Sequence, residues 1–185
     1  MINNIFLTGR IGVGKTTIIK KVLKKLKPKI GGFTVYKEGE IFNWNAFYLI
    51  EGSYLIDEKI VLNLSEENRF AFRKENYSKW IVNTKAFEEV GVRLLSPSNF
   101  VDIIIMDELG RFELNAFEFQ KKVYSLLDSK IPVLGVIKDE SNEFLDKIRN
   151  RTDVEIFKIT QENRENKYED IYNLVKNLIS YQKSF

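Results

Sequence analysis

Neither cysteine nor histidine occurs anywhere in the 185 residues. Their absence excludes disulfides, cysteine nucleophiles, serine–histidine–aspartate triads and structural zinc centres together. Any chemistry must therefore use carboxylates, lysine, arginine, hydroxyl groups and a hard, oxygen-bound metal. No apolar run approaches the ~20 residues that span a bilayer. The apolar start, Ile5–Leu7, is too short for a signal-peptide core and breaks at Gly9. A soluble, cytoplasmic protein with no membrane partner is the expectation. Acidic residues are missing from residues 1–30, which carry eight Lys or Arg, against 21 basic and 26 acidic residues beyond. The formal net charge of +3 thus hides a segment of +8 and a remainder of −5, a field that favours polyanions near the N-terminal end.

What is present suits one well-packed unit. With 44% hydrophobic and 13% aromatic residues, the chain is long enough for a single core and short for two, so 1–185 is read as one domain. Asn4–Leu7 reads as a buried strand, and Lys15–Leu26 as a helix carrying Ile19, Val22, Leu23 and Leu26 at helical spacing until Lys27-Pro28 stops it. From Gly31 to Leu64 short runs of Phe, Tyr, Ile and Val are separated by Lys37–Glu40, Glu51–Ser53 and Asp57–Lys59, which suggests hairpins, about 32–64. A charged stretch, Ser65–Asn76, precedes a strand at Lys79–Asn83, after which Thr84 caps a helix running to about Leu95. Then strands and helices alternate: Ile103–Met106, Ala116–Leu127, Val133–Ile137, Glu143–Arg149, Val154–Ile159 and Tyr168–Ile179. That alternation implies right-handed βαβ units and a mainly parallel sheet covered on both faces. The fold class expected is α/β, three-layered, with an inserted antiparallel hairpin region.

One loop carries the strongest chemical signal. Gly9-Arg10-Ile11-Gly12-Val13-Gly14-Lys15-Thr16 fits G-x-x-x-x-G-K-[ST] and lies between a strand and a helix. A loop wrapped around polyphosphate must turn backbone N–H groups inward, glycines permit that path, and the following helix adds its positive dipole end. Lys15 would neutralise β- and γ-phosphate charge, Thr16 would ligate Mg²⁺, and Thr17 extends the phosphate contact.

Ile103–Met106 then delivers Asp107 and Glu108 at the end of a fully apolar strand, where open α/β sheets place their ligands. Asp107 would hold Mg²⁺ and Glu108 would orient or deprotonate a water in line with the γ-phosphate. A kinase must instead exclude water, so a carboxylate directly after the metal-binding aspartate favours hydrolysis over transfer.

With their surroundings these residues resemble the small cancer-related nucleoside-triphosphatase family. The matching pieces are Thr8–Thr17, Gly31–Thr34, the run Asp107–Leu114 (DELGRFEL), and Thr160–Arg164, spread over nearly the whole chain. The resemblance implies a RecA-like core with an inserted hairpin region, and slow hydrolysis of ATP, GTP and other triphosphates with little base preference. It carries Lys15, Thr16, Asp107 and Glu108 over in the roles already argued. The chain departs from the family at Val35–Glu38, where an arginine is usual, and between Ile41 and Lys79.

Several choices stay open on sequence alone. Asn163 and Arg164 follow the last expected strand and either contact nucleotide or form a helix-capping turn. Arg10, Arg93, Arg111, Lys138 and Arg164 are all candidates for a finger-like cation. The Lys20, Lys21, Lys24 and Lys25 face is read as a solvated helix face, and Trp44, Phe47 and Tyr48 as core, so a nucleic-acid partner is not favoured. No Asn-Lys-x-Asp run reads guanine. A nucleoside or nucleotide kinase and a nucleotide-switched regulator remain the alternatives to a triphosphatase.

Overall fold

The apolar runs at Ile5–Leu7, Ile103–Met106 and Val133–Ile137 split their side chains between two cores. Ile5, Leu7, Ile103, Ile105, Leu134 and Val136 face one side, while Phe6, Ile104, Met106, Val133 and Ile137 face the other. Successive strand residues point to opposite faces, so a strand that is apolar throughout must be covered on both.

The computed structural model describes residues 2–57, 59–74 and 79–182. Its strands are β1 (Asn4–Thr8), β2 (Ile30–Glu40), β3 (Asn43–Glu51), β4 (Arg69–Phe72), β5 (Ile81–Val82), β6 (Ile103–Leu109), β7 (Val133–Ile137) and β8 (Val154–Lys158). Its helices are α1 (Lys15–Leu26), α2 (Val92–Leu94, continuing a π-wound segment at Ala86–Gly91), α3 (Phe117–Leu127), α4 (Glu143–Arg149) and α5 (Arg164–Gln182). One sheet runs in the order β5-β4-β3-β2-β6-β7-β1-β8. β2, β6, β7, β1 and β8 are parallel, while β3, β4 and β5 pair antiparallel. Helices α1 and α5 cover one face through Ile18, Ile19, Val22, Leu23, Ile171, Val175 and Ile179. The π-wound segment, α3 and α4 cover the other through Phe87, Val90, Phe119, Val123, Phe144 and Ile148. The three-layer α/β expectation is met, inserted hairpin included.

The structure differs from the sequence reading mainly in β2 and the antiparallel part: Gly31–Thr34, read as the start of the hairpins, pairs parallel with β6. Lys37–Glu40 is not a break: β2 runs through it and turns at Ile41-Phe42, with Phe42 at a positive φ of 69°. The charged stretch Ser65–Asn76 holds β4, whose Phe70 and Ala71 are buried; Glu75 and Asn76 lie outside the described residues, as does Glu58 of the Asp57–Lys59 break. Thr84 sits inside the first turn of its helix instead of preceding it. Phe47 stacks on Trp80 at 4.6 Å and touches Phe70, with Trp44 at its edge, so Trp44 and Phe47 serve the core as expected. Tyr48 is buried as well. Among the described residues, no helix is long and apolar enough to cross a membrane.

Candidate active site

β1 delivers the chain into the glycine loop, and α1 begins at Lys15 immediately after it. Gly9, Gly12 and Gly14 hold φ values of 134°, 84° and 101°, a region that L side chains rarely adopt. At Gly9 close approach adds to the requirement, since a Cβ there would stand 2.3 Å from the Ile159 carbonyl oxygen. The α1 N-terminus has no side-chain cap and no acidic residue in its first turn. Its leading N–H groups and positive dipole end are thereby left for an anion. Lys15, buried, donates to the carbonyls of Gly9 at 2.7 Å and Arg10 at 2.8 Å. Burial lowers its pKa; the charges of Lys37 and Lys138 act the same way, against Glu108 and Asp107.

Strand β6 brings the two carboxylates to the same end of the sheet. Asp107 is buried, with Oδ1 3.3 Å from Thr16 Oγ1 and Oδ2 3.2 Å from Thr34 Oγ1. Both hydroxyls can donate to it. Burial, and then the charge of Glu108, pushes the Asp107 carboxyl up to about 6, against the hydroxyl hydrogen bonds and Lys37. The next peptide bond, Asp107–Glu108, is cis. Glu108 Oε1 accepts from Lys37 Nζ at 3.2 Å and lies 3.5 Å from Lys138 Nζ. Burial would raise its pKa, but the charges of Lys37 and Lys138, the Lys37 hydrogen bond and Lys15 together hold it below the ordinary glutamate value.

One hollow borders this group and another borders the glycine loop. One of about 260 Å³ is lined by Thr16, Thr34, Tyr36, Lys37, Asp107 and Glu108, among others. Another, of about 580 Å³, lies between Arg10, Ile11 and Val13 of the loop and Lys158, which ends β8, with Thr160 and Gln161 beyond it. A hydroxyl and a buried carboxylate, both hard oxygen donors, stand together at Thr16 and Asp107. Among the described residues no set of three or more His, Cys, Asp or Glu side chains forms a metal cage. That donor chemistry fits Mg²⁺, which keeps several waters and takes one or two protein ligands beside substrate phosphates.

The remaining sequence candidates separate clearly. Asn163 is occupied by its own turn: Oδ1 accepts from Thr160 N at 2.8 Å and Nδ2 donates to Lys158 O at 2.9 Å. Arg164 lines a small hollow with Gly14, Thr17, Lys21 and Tyr168, and its Nε is 3.6 Å from Glu165. Thr17 is exposed at the start of α1. Of the candidate cations, Lys138 meets Glu108, whereas Arg93 borders a separate hollow with Tyr54 and Asn68. Arg111 is exposed over the Phe112 ring, and Arg10 is exposed beside the larger hollow. The sequence reading missed Thr34 and Lys37. Thr34 had a signal, since it closes the Gly31–Thr34 run, but Lys37 looked like part of a turn.

This chain is similar to known proteins over nearly its whole length. A family model described as NTPase matches residues 4–172. The nucleoside-triphosphatase THEP1 of Thermotoga maritima is 38% identical over 178 residues, covering 93% of this chain and 95% of the relative. That of Methanocaldococcus jannaschii is 33% identical over 180 residues, covering 92% and 96%. Among solved structures, THEP1 from Aquifex aeolicus superposes with a TM-score of 0.69 at 24% identity, covering 93% of this chain and 98% of that one. A human cancer-related nucleoside triphosphatase superposes with a TM-score of 0.66 at 25% identity, covering 95% and 98%. The resemblance read from the sequence is borne out, and with the family match extending over most of its length this chain belongs to the NTPase family.

Proposed function

We infer that the protein hydrolyses nucleoside triphosphates to diphosphate and phosphate. The carrying observation is the meeting of Thr16, Asp107 and Glu108 beside an uncapped helix N-terminus. Loop residues Gly9–Gly14, with Lys15, Thr16 and Thr17, cradle the phosphates, and Arg164 borders the nucleotide beside Thr17. Asn163 shapes the loop next to it. Thr16 and Asp107 would hold Mg²⁺, which when bound neutralises β- and γ-phosphate charge. Glu108, kept ionised by its lysines, orients a water in line with the γ-phosphate and takes a proton from it as the new P–O bond forms. The bond to the bridging oxygen breaks and the diphosphate leaves.

The sequence holds no Asn-Lys-x-Asp run to read guanine, so ATP, GTP, CTP and UTP are all expected substrates. Two lysines of the α1 face are turned toward α5, where Lys21 pairs with Glu165 and Lys25 lies over Tyr172; this supports a solvated helix face in preference to a nucleic-acid surface. The cytoplasm, where triphosphates and Mg²⁺ are available, is the compartment this reading implies.

The test is phosphate release with Mg²⁺ and each of the four triphosphates, alone and with nucleosides added as acceptors. Release from all four with no phosphorylated nucleoside supports hydrolysis. Transfer to an acceptor makes the protein a kinase, and tight binding without release makes it a switch. Lys15→Ala should remove triphosphate binding by calorimetry; unchanged affinity would contradict the phosphate-loop assignment.

A further inference from the structure

Two ammonium groups converge on one carboxylate oxygen. Lys37 Nζ is 3.2 Å and Lys138 Nζ 3.5 Å from Glu108 Oε1. Lys15 shares the site, and its charge too reaches Glu108. Lys15, Lys37 and Lys138 thus face Glu108 and Asp107, three ammoniums against two carboxylates, and the surplus positive charge in a half-buried site is costly unless an anion shares it.

Both lysines are held by the sheet. Lys37 lies on β2, three residues past Thr34, which pairs in register with Asp107. Lys138 directly follows β7, and its backbone N–H donates to Leu109 O at 3.0 Å. One aromatic ring lies beside each: Lys37 Nζ is 5.4 Å from the Trp44 ring centroid and Lys138 Nζ 5.8 Å from that of Phe112. Partial burial beside such rings strengthens the charge interactions made there. Lys37 also lines the hollow that Thr16 and Asp107 line, so its ammonium borders the phosphate side of Glu108.

We propose that Lys37, assisted by Lys138, is the cation that meets the γ-phosphoryl group during hydrolysis, supplied by this chain itself so that no partner has to insert one. The proposal rests on the hydrolase reading above. Glu108 and the γ-phosphate then compete for the same ammoniums. As charge spreads over the γ-oxygens the ammoniums interact more strongly with them and less with Glu108, which is left to the water; the sheet holds the backbones of both lysines in place while this electrostatic stabilisation develops.

The experiment compares wild type with Lys37→Met, Lys37→Arg, Lys138→Met, Glu108→Gln and Glu108→Gln/Lys37→Met. Turnover is measured with ATP, and binding with ADP, ADP plus aluminium fluoride, and a non-hydrolysable ATP analogue, all with Mg²⁺. Lys37→Met should bind ADP as wild type does, yet lose at least ~10²-fold in kcat and in aluminium fluoride-dependent affinity, with a smaller loss in Lys138→Met and partial rescue in Lys37→Arg. Glu108→Gln should bind the analogue more tightly than wild type, and the double variant should lose that gain. Wild-type turnover and fluoride-dependent affinity in Lys37→Met would overturn the proposal. A double variant that binds the analogue as Glu108→Gln does would also overturn it, because Lys37 would then act only by holding Glu108. A wild-type protein that releases no phosphate would sink the hydrolase reading alone. The ratio of analogue to ADP affinity would still judge the lysine: a fall in Lys37→Met supports it, and an unchanged ratio overturns it.

Discussion

Thr34 Oγ1 stands 3.2 Å from Asp107 Oδ2, across the register pair that joins β2 to β6. With Thr16 on the other carboxylate oxygen at 3.3 Å, Asp107 is oriented from both sides and cannot rotate without losing a hydrogen bond.

Thr34→Val keeps the shape of that side chain and removes the hydroxyl. Partners that orient a metal-binding group are typically worth about 10–100-fold in metal affinity. The Mg²⁺ concentration for half-maximal hydrolysis should therefore rise by roughly tenfold, with kcat at saturating Mg²⁺ changed much less. A titration of rate against Mg²⁺ that superposes on wild type would show that Thr34 does not position Asp107.

Glu113 gives a prediction on stability. Its side chain is buried and accepts from Gly110 N at 3.1 Å, bracing the loop that follows Glu108. Burial pushes its pKa up from 4.5 to about 7, against backbone hydrogen bonds and the charge of Lys138. Between those two values the folded chain keeps a proton that the unfolded chain has lost, so this contribution is full below pH 4.5 and is lost as pH rises through about 7. Glu113→Gln removes the titration. From pH 5 to pH 8 the variant should gain stability relative to wild type by roughly 2–3 kcal/mol, measured by denaturant unfolding at each pH. A constant difference between the two proteins would mean that Glu113 is ionised in the fold.

Gly9→Ala asks for a Cβ at 2.3 Å from the Ile159 carbonyl and for an alanine at φ 134°. Backbone strain of this kind costs on the order of 1–3 kcal/mol before any clash is counted. The melting temperature should fall and triphosphate affinity should fall with it, because the loop must open away from β8. Wild-type affinity in a fully folded Gly9→Ala protein would show that the loop tolerates another path.

The parallel part of the fold other than β2 was legible in the sequence because burial on both faces leaves an unbroken apolar run in each of β1, β6 and β7, whereas β2, which pairs parallel with β6, was read as part of the hairpins. The glycine loop was legible because few residues adopt its backbone angles. The antiparallel half was not. Beyond Tyr36, β2 leaves the core as a ribbon whose last three residues are exposed, so nothing forces an apolar alternation on Lys37–Glu40, and its composition imitates a turn. The real turn uses Ile41 and Phe42, both exposed apolar residues without turn chemistry. β4 is four residues long and flanked by charge, too short for a periodic signal. For that reason Asp107 and Glu108 could be picked out from the sequence, while Lys37, carried to Glu108 by the misread ribbon, could not.

The most direct test of the account is the behaviour of Glu108→Gln beside wild type, with triphosphate affinity and phosphate release measured on the same preparations. The account predicts that the variant binds triphosphate at least as tightly as wild type while its turnover falls by about 10²-fold or more. Equal turnover in the two proteins would contradict it and move the catalytic role away from the carboxylate at the end of β6.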